Sequence, residues 1–377
     1  MTTAESQPVA RLATQRTPQR VLVVVPNWVG DVVLATPVLA ALRARLPGAR
    51  ITYLMRRHVS EILAGGGWHD DEVYWPQAPR GTIPAQTWWR LTHGGPVGLV
   101  RLARQLAAQR FDLALLLTNS LRSALVAWLA GIPRRVGYAR EGRGPLLTDA
   151  LTPLRLGGDY VPVPMLAYYA ALARAVGCET IEQRLRLVVT PEQEAGGRAL
   201  QTHYGLTPGR YAVVIPGANF GAAKCWLPER FAEVCDELRE RRELTPVLAG
   251  SPGELPLLRR IAGLARGPVT ACENPATTLG TLKPLVRDAA VLVCNDTGPR
   301  HYGLAFDVPT VTIFGPTFQE WTDTDHPGEV KLQARVPCGP CQLKRCPLDL
   351  VCMKRVGTAD VMAAVDGLLA RGVERAP

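Results

Sequence analysis

The residues best suited to chemistry cluster between Asn295 and Thr317. Asp296, Thr297 and Gly298 follow a short valine-rich run at 290–294, the composition of a strand buried on both faces of a parallel sheet. A hydroxyl residue and a glycine where a strand feeds a helix leave backbone N–H groups free, and a helix N-terminus there favours an anion. The expected guest is a phosphate. A second buried run at 308–314 ends in Gly315, Pro316 and Thr317, a second loop on the edge where open parallel sheets bind their ligands. Taken alone, Asp296 and Thr297 suit a helix cap equally well, and Gly298 a tight turn.

Other candidates lie far away in sequence. Asp31 follows the aliphatic run 21–25 and the loop 26–30, so its carboxylate belongs at the ligand edge, as a cleft residue or as a helix N-cap. Lys224, the first lysine of the chain, stands in a glycine-bearing loop, where a compact ammonium suits a phosphate oxygen, although a lone loop lysine is ordinarily just solvated. Arg56, Arg57 and Arg122, with Arg134, Arg135, Arg140 and Arg143 in the turn-rich stretch 131–144, offer guanidinium forks to carboxylates or phosphates. Arginines at that density are expected to stay exposed. Asp323, Thr324 and Asp325 form a DxD triplet, too short to assign a metal. Cys338, Cys341, Cys346 and Cys352 follow C-x2-C-x4-C-x5-C, with prolines shaping the turns. Four thiolates suit a structural zinc, yet the spacing is tighter than paired knuckles, so disulfides, an iron–sulfur cluster and free thiols stay open. The other five cysteines read as buried free thiols.

These residues need a scaffold. Aliphatic strands at 21–25, 51–55 and 113–117 alternate with helical patterns from 31, near 98–109 and at 119–130, which argues for an α/β, doubly wound parallel sheet. A strand at 211–215, a helix at 228–241 and a strand at 246–249 restart the alternation, and 377 residues exceed what one core usually organises. The expected division is a disordered tail at 1–20, a first domain at 21–190 ending in a linker at 178–190, and a second at 191–377. The stretch 76–96 reads as a loop bordering the cleft, and a final helix at 361–369 is expected to pack back across the first domain. No GxGxxG follows the first strand, which removes the best support for a dinucleotide site.

Charge separates the halves. Residues 1–190 hold 22 arginines, no lysine and 12 acids, whereas the remainder balances 21 basic against 21 acidic residues. The net charge of +10 therefore lies in the first half, suiting a nucleic acid, a lipid surface, a phosphorylated glycan or merely a basic soluble surface. No nucleic-acid module pattern accompanies the arginines. No stretch approaches the roughly 20 apolar residues of a spanning helix, and the first twenty residues lack the apolar core of a secretory signal.

The string from Asn295 to Thr317 resembles the donor-site signature of the bacterial heptosyltransferases, glycosyltransferase family 9, which add heptose to the lipopolysaccharide core. Asp296, Thr297, Gly298, His301, Gly315, Pro316 and Thr317 stand at that family's positions, while Arg300 replaces an apolar residue. The segment 27–31 resembles the family's first loop, and Lys224 its diphosphate lysine, with Leu227 where a proline would follow Trp226. The resemblance implies a GT-B architecture and an inverting, metal-independent transfer of heptose from ADP-heptose to an anionic lipid-linked core acceptor. Asp31 would be the general base. Lys224, Thr297 and Gly298 would stabilise the departing ADP; Asp296 and His301 would hold sugar or phosphates, and Glu254 the ribose. Arg56, Arg57, Arg122, Arg134, Arg135, Arg140 and Arg143 would receive acceptor anions on the first domain. The cysteine-rich loop resembles the branch adding the second heptose. A cytoplasmic monomer touching the inner face of the inner membrane is expected, with no nucleic acid as partner. A nucleotide-sugar epimerase or hydrolase on the same frame is the alternative.

Overall fold

The computed structural model describes residues 17–77 and 95–371. Most of the expected tail and of the loop at 76–96 lies outside the described residues. Arg20 already belongs to the first strand, so residues 17–20 are part of the folded domain's edge.

The first domain is one parallel sheet with helices on both faces. Its strands are β1 (Arg20–Val24), β2 (Arg50–Met55), β3 (Asp71–Tyr74), β4 (Leu113–Leu116), β5 (Arg134–Tyr138) and β6 (Asp149–Leu151), in the spatial order 3-2-1-4-5-6. Helices α1 (Val29–Arg45), α2 (Ser60–Leu63), α3 (Gly95–Ala107), α4 (Leu121–Leu129) and α5 (Met165–Ala175) complete it, with a small hairpin of β7 (Arg155–Leu156) and β8 (Asp159–Tyr160). Central strands β1 and β4 are almost wholly aliphatic because both faces are covered.

The second domain repeats this plan. Strands β9 (Tyr211–Ile215), β10 (Thr245–Leu248), β11 (Thr270–Ala271), β12 (Val291–Asn295), β13 (Thr310–Phe314) and β14 (Glu329–Gln333) run parallel in the order 11-10-9-12-13-14. Around them lie α6 (Pro191–His203), α7 (Pro228–Arg242), α8 (Leu255–Leu264), α9 (Leu282–Arg287), α10 (Arg300–Ala305), α11 (Val351–Arg355) and α12 (Thr358–Arg371). Thr190 starts α6 with a capping box shared with Gln193, which ends the strandless segment 178–190.

Where the domains meet, their inner faces share one continuous apolar core that includes Val23, Leu39, Tyr169, Leu187, Tyr211 and Leu292. Polar pins fasten the seam. Lys283 donates to the carbonyls of Ala64 and Val188 and to Gln193 Oε1, and Glu61 accepts from Gly280 N–H. The final helix departs from expectation. Its apolar face of Val361, Met362, Val365 and Leu368 is buried in the second domain, against α7, β13 and β14.

Candidate active site

In each sheet the C-terminal strand ends face the groove between the domains. On the first-domain wall, β1 stops before a loop whose Trp28 takes the N-cap position of α1 with extended backbone. Asp31 therefore sits in the first helical turn and is not the cap. Part of its surface meets the cleft, but protein packs densely around it. Burial pushes its pKa up to about 6; the Lys224 charge opposes that shift and the Asp296 charge adds to it. A carboxylate at a helix N-terminus would be expected to lose basicity. Here desolvation is the larger effect.

The second-domain wall is built on Asp296, at the end of β12. Its Oδ2 accepts from Lys224 Nζ at 2.5 Å and from Thr317 Oγ1 at 2.7 Å, and Arg300 lies 3.8 Å from Oδ1. Asn295 aligns the strand end with the lysine loop, since its Oδ1 accepts from Trp226 N–H at 3.1 Å. Trp226 is 2% exposed and donates its indole N–H to the carbonyls of Met353 and Val356, so it anchors the loop that carries Lys224. Burial, assisted by the charges of Arg300 and Lys224, holds the His301 imidazole well below its usual pKa, which keeps it neutral at pH 7. Its Nδ1 is buried with no partner among the described residues.

The two walls touch. A Cβ on Gly298 would fall 2.6 Å from Val29 Cβ, and one on Gly30 would fall 3.0 Å from the His301 ring. Glycine at both places lets the loops approach closely enough to share one cleft. The cleft has a volume of about 750 Å³, and Asp31, Arg56, Lys224, Asp296, Thr297 and His301 are among its lining residues. A carboxylate of raised pKa on one wall thus faces an ion-paired lysine and a neutral histidine on the other, as a base facing a polyanion site would require.

Comparison with known proteins decides the family. The model of glycosyltransferase family 9 (heptosyltransferase) matches residues 99–352. The chain belongs to this family. Lipopolysaccharide heptosyltransferase 2 of Escherichia coli K12 is 30% identical over 80% of this chain and 84% of its own length. That of Salmonella typhimurium is 29% identical over the same shares. The fold matches the structure of Escherichia coli ADP-heptose lps heptosyltransferase II with a TM-score of 0.72 at 24% identity, covering 93% of this chain and 99% of that one. The GT-B architecture and glycosyltransferase class follow, and the epimerase, hydrolase and nucleic-acid readings fall away.

Within this glycosyltransferase the residues singled out from sequence separate into groups. Asp31, Arg56, Lys224, Asp296, Thr297, Gly298 and His301 reach the cleft. Thr317 acts behind Asp296, and Gly315 and Pro316 shape the loop under it. Gln333 holds the carbonyls of Gly315 and Thr317, and Pro316 accepts from Gln342 N–H. Glu254 lies over Gly217, with Oε2 taken by the N–H and hydroxyl of Ser251 at 2.7 Å each, and Ser251 is the member that lines the cleft. Ser251, Asn219, Phe220 and Thr322 were not legible as site residues, because they lie in loops without a distinctive spacing.

The arginines divide sharply. Arg57 stacks on Tyr74 and Arg122 on Trp75; partial desolvation where the otherwise exposed Arg122 side chain packs, with the neighbouring Arg56 charge, lowers the Arg122 pKa. This group sits near the ligand edge. Arg134 and Arg135 do not, because they open β5 at the opposite end of a parallel strand. Arg134 binds Asp149 and the Ala175 carbonyl, and Arg135 binds the carbonyls of Leu146 and Ile132. Arg143 is wholly buried, contrary to the expected exposure. It ties the carbonyls of Tyr138 and Thr118 to Ser123 and Asn119, and burial lowers its pKa to about 10. Arg140 stacks 3.7 Å from the Tyr160 ring centroid.

Of the four clustered cysteines, Cys352 has its pKa raised mainly by burial and also feels the charges of Cys346 and Cys338. Cys338 is exposed, Cys352 is buried, and Cys346 Sγ accepts from the N–H groups of Leu348 and Leu350. All nine cysteines are free thiols, and no three His, Cys, Asp or Glu side chains among the described residues gather as a metal ion would need. The loop instead buttresses the donor wall, with Lys344 O accepting from Ala223 N–H beside Lys224. In the DxD triplet, Asp323 is taken by Lys331 and by Asp325 N–H.

Proposed function

We propose that this family 9 glycosyltransferase moves an L-glycero-D-manno-heptose unit from ADP-heptose to the lipopolysaccharide inner core, with inversion at the sugar carbon. The observation carrying the reading is the pairing across one cleft of the desolvated Asp31 with the Lys224–Asp296 ion pair. Asp31 takes the proton of an acceptor hydroxyl, which attacks the sugar carbon as the bond to the diphosphate breaks. Lys224, held in position by Asp296, receives the negative charge of the departing ADP, together with the backbone of Thr297 and Gly298. His301, neutral and with Nδ1 unpartnered among the described residues, meets the donor, and Glu254 acts on the ribose side through Ser251.

Arg56, Arg57 and Arg122 receive anionic groups of the acceptor, which is a lipid-linked inner-core saccharide. Similarity to relatives named heptosyltransferase 2 favours an acceptor that already carries one heptose. The enzyme works as a monomer at the cytoplasmic face of the inner membrane. No helix among the described residues is long and apolar enough to cross a membrane, in keeping with peripheral contact through the basic domain. Mass spectrometry of products from ADP-heptose with mono-heptosylated and non-heptosylated inner-core lipids tests the reading. One added heptose on the former supports it, and no transfer to either lipid refutes it.

A further inference from the structure

Arg300 is wholly buried at the start of α10, and its guanidinium cannot turn. Nε and Nη2 both face the Glu329 carboxylate, with Nη2 at 2.8 Å from Oε2, and Thr312 Oγ1 fixes the same carboxylate at 2.6 Å. The guanidinium also lies over the Phe314 ring. Its remaining arm, Nη1, donates to Thr322 Oγ1 at 2.8 Å. A hydroxyl has one proton to give. With an oxygen lone pair occupied by a cation that has no acceptor capacity, the Thr322 proton must point away from Arg300. Thr322 lines the cleft.

The position of Thr322 in the cleft selects the part of the ligand it meets. It ends the short 3-10 turn Gln319–Thr322, which packs against α5 of the first domain. The same helix packs on α1 and carries Tyr169, whose phenol feels the Asp31 charge. Ser251 and Asn219, by contrast, follow β10 and β9 on the other side of the sheet's centre. Thr322 thus shares the neighbourhood of the carboxylate that activates the acceptor, where the transferred sugar has to lie.

Resting on the transferase reading above, we propose that Thr322 is a specificity-determining residue that donates its hydroxyl proton to an oxygen of the transferred sugar, with Arg300 as the residue that positions it. The test is calorimetric titration of the full-length protein with ADP and with ADP-heptose. Thr322→Val should weaken ADP-heptose binding about 2- to 10-fold, the effect of one hydrogen bond, and leave ADP binding unchanged. Thr322→Ser, which restores the hydroxyl, should recover wild-type affinity. Replacing the ion pair together, Arg300→Met with Glu329→Met, leaves no buried charge unpaired and should cost part of the valine loss, because the hydroxyl then turns freely and must be ordered on binding. Unchanged ADP-heptose affinity in Thr322→Val, or an equal loss for ADP, would overturn the assignment of the hydroxyl to the sugar. Wild-type affinity in the double variant would overturn the role of Arg300. A wild-type protein binding neither ligand would instead defeat the transferase reading itself.

Discussion

Replacing Asp31 with asparagine should separate catalysis from stability in opposite directions. Its pKa rises from the ordinary 3.8 to about 6, so the folded protein holds this proton more tightly than the unfolded chain does. The ionised group therefore weakens the fold, fully above pH 6 and not at all below the unfolded value. The displacement corresponds to a cost of up to about 3 kcal/mol at pH 7.5. Asparagine keeps the shape without the charge. Asp31→Asn should raise the unfolding midpoint by about 4 °C for a chain of this length. It should also lower kcat by about 10² to 10⁴, because the acceptor proton loses its base. In the wild type, kcat should climb as pH rises through about 6, and that limb should be missing from the variant's residual rate. Calorimetric melts and a pH–rate series on the two proteins measure all three effects. A variant turning over at the wild-type rate would refute the base assignment, and a loss of stability at pH 7.5 would refute the desolvation argument beneath it.

Lys224→Met should reduce kcat/KM by about 10² to 10³ and weaken ADP binding as well, since the cation facing the leaving group is lost, as steady-state kinetics and ADP titration would record. Arg56→Ala with Arg122→Ala should raise the acceptor KM with donor affinity unchanged, an effect that added salt should mimic because these arginines are exposed. Arg134→Ala with Arg135→Ala should leave both KM values alone and lower stability by about 1 to 3 kcal/mol in denaturant titration, because their partners are the Asp149 carboxylate and backbone carbonyls. Because no three His, Cys, Asp or Glu side chains among the described residues gather as a metal ion would need, elemental analysis of anaerobically purified protein should find less than one zinc or iron per chain. A full equivalent would show that the cysteine-rich loop regroups around a metal.

How far the sequence could be read depended on how local each signal was. Strands β1, β4, β9, β12 and β13 were legible because a strand covered on both faces must be largely apolar, a property of the strand's own residues. The outer strands were not. β3, with sequence DEVY, and β14, with EVKLQ, have one neighbouring strand each and remain partly exposed, so charged residues are tolerated there. β5 was hidden because it opens with two arginines.

The same limit governed the site. Asp31 and the group from Asp296 to His301 follow strand ends directly, and in a parallel sheet that position by itself puts them at the ligand edge. Whether an arginine binds ligand or backbone depends on which end of a strand it occupies and what lies opposite. Arg134, Arg135 and Arg143 were therefore misplaced by sequence, and Trp226, Glu254 and Thr317 showed their supporting roles only once their partners were visible. The sequence by itself determined the two-sheet plan, the charge asymmetry and the residue types of the donor loop. Tertiary structure alone decided the basicity of Asp31 and the pairing of Lys224 with Asp296. It also decided the burial of Cys352 beside an exposed Cys338 and the wedging of Arg300 against Thr322. Each of these depends on desolvation or on distances between segments far apart in the chain, which no local pattern encodes.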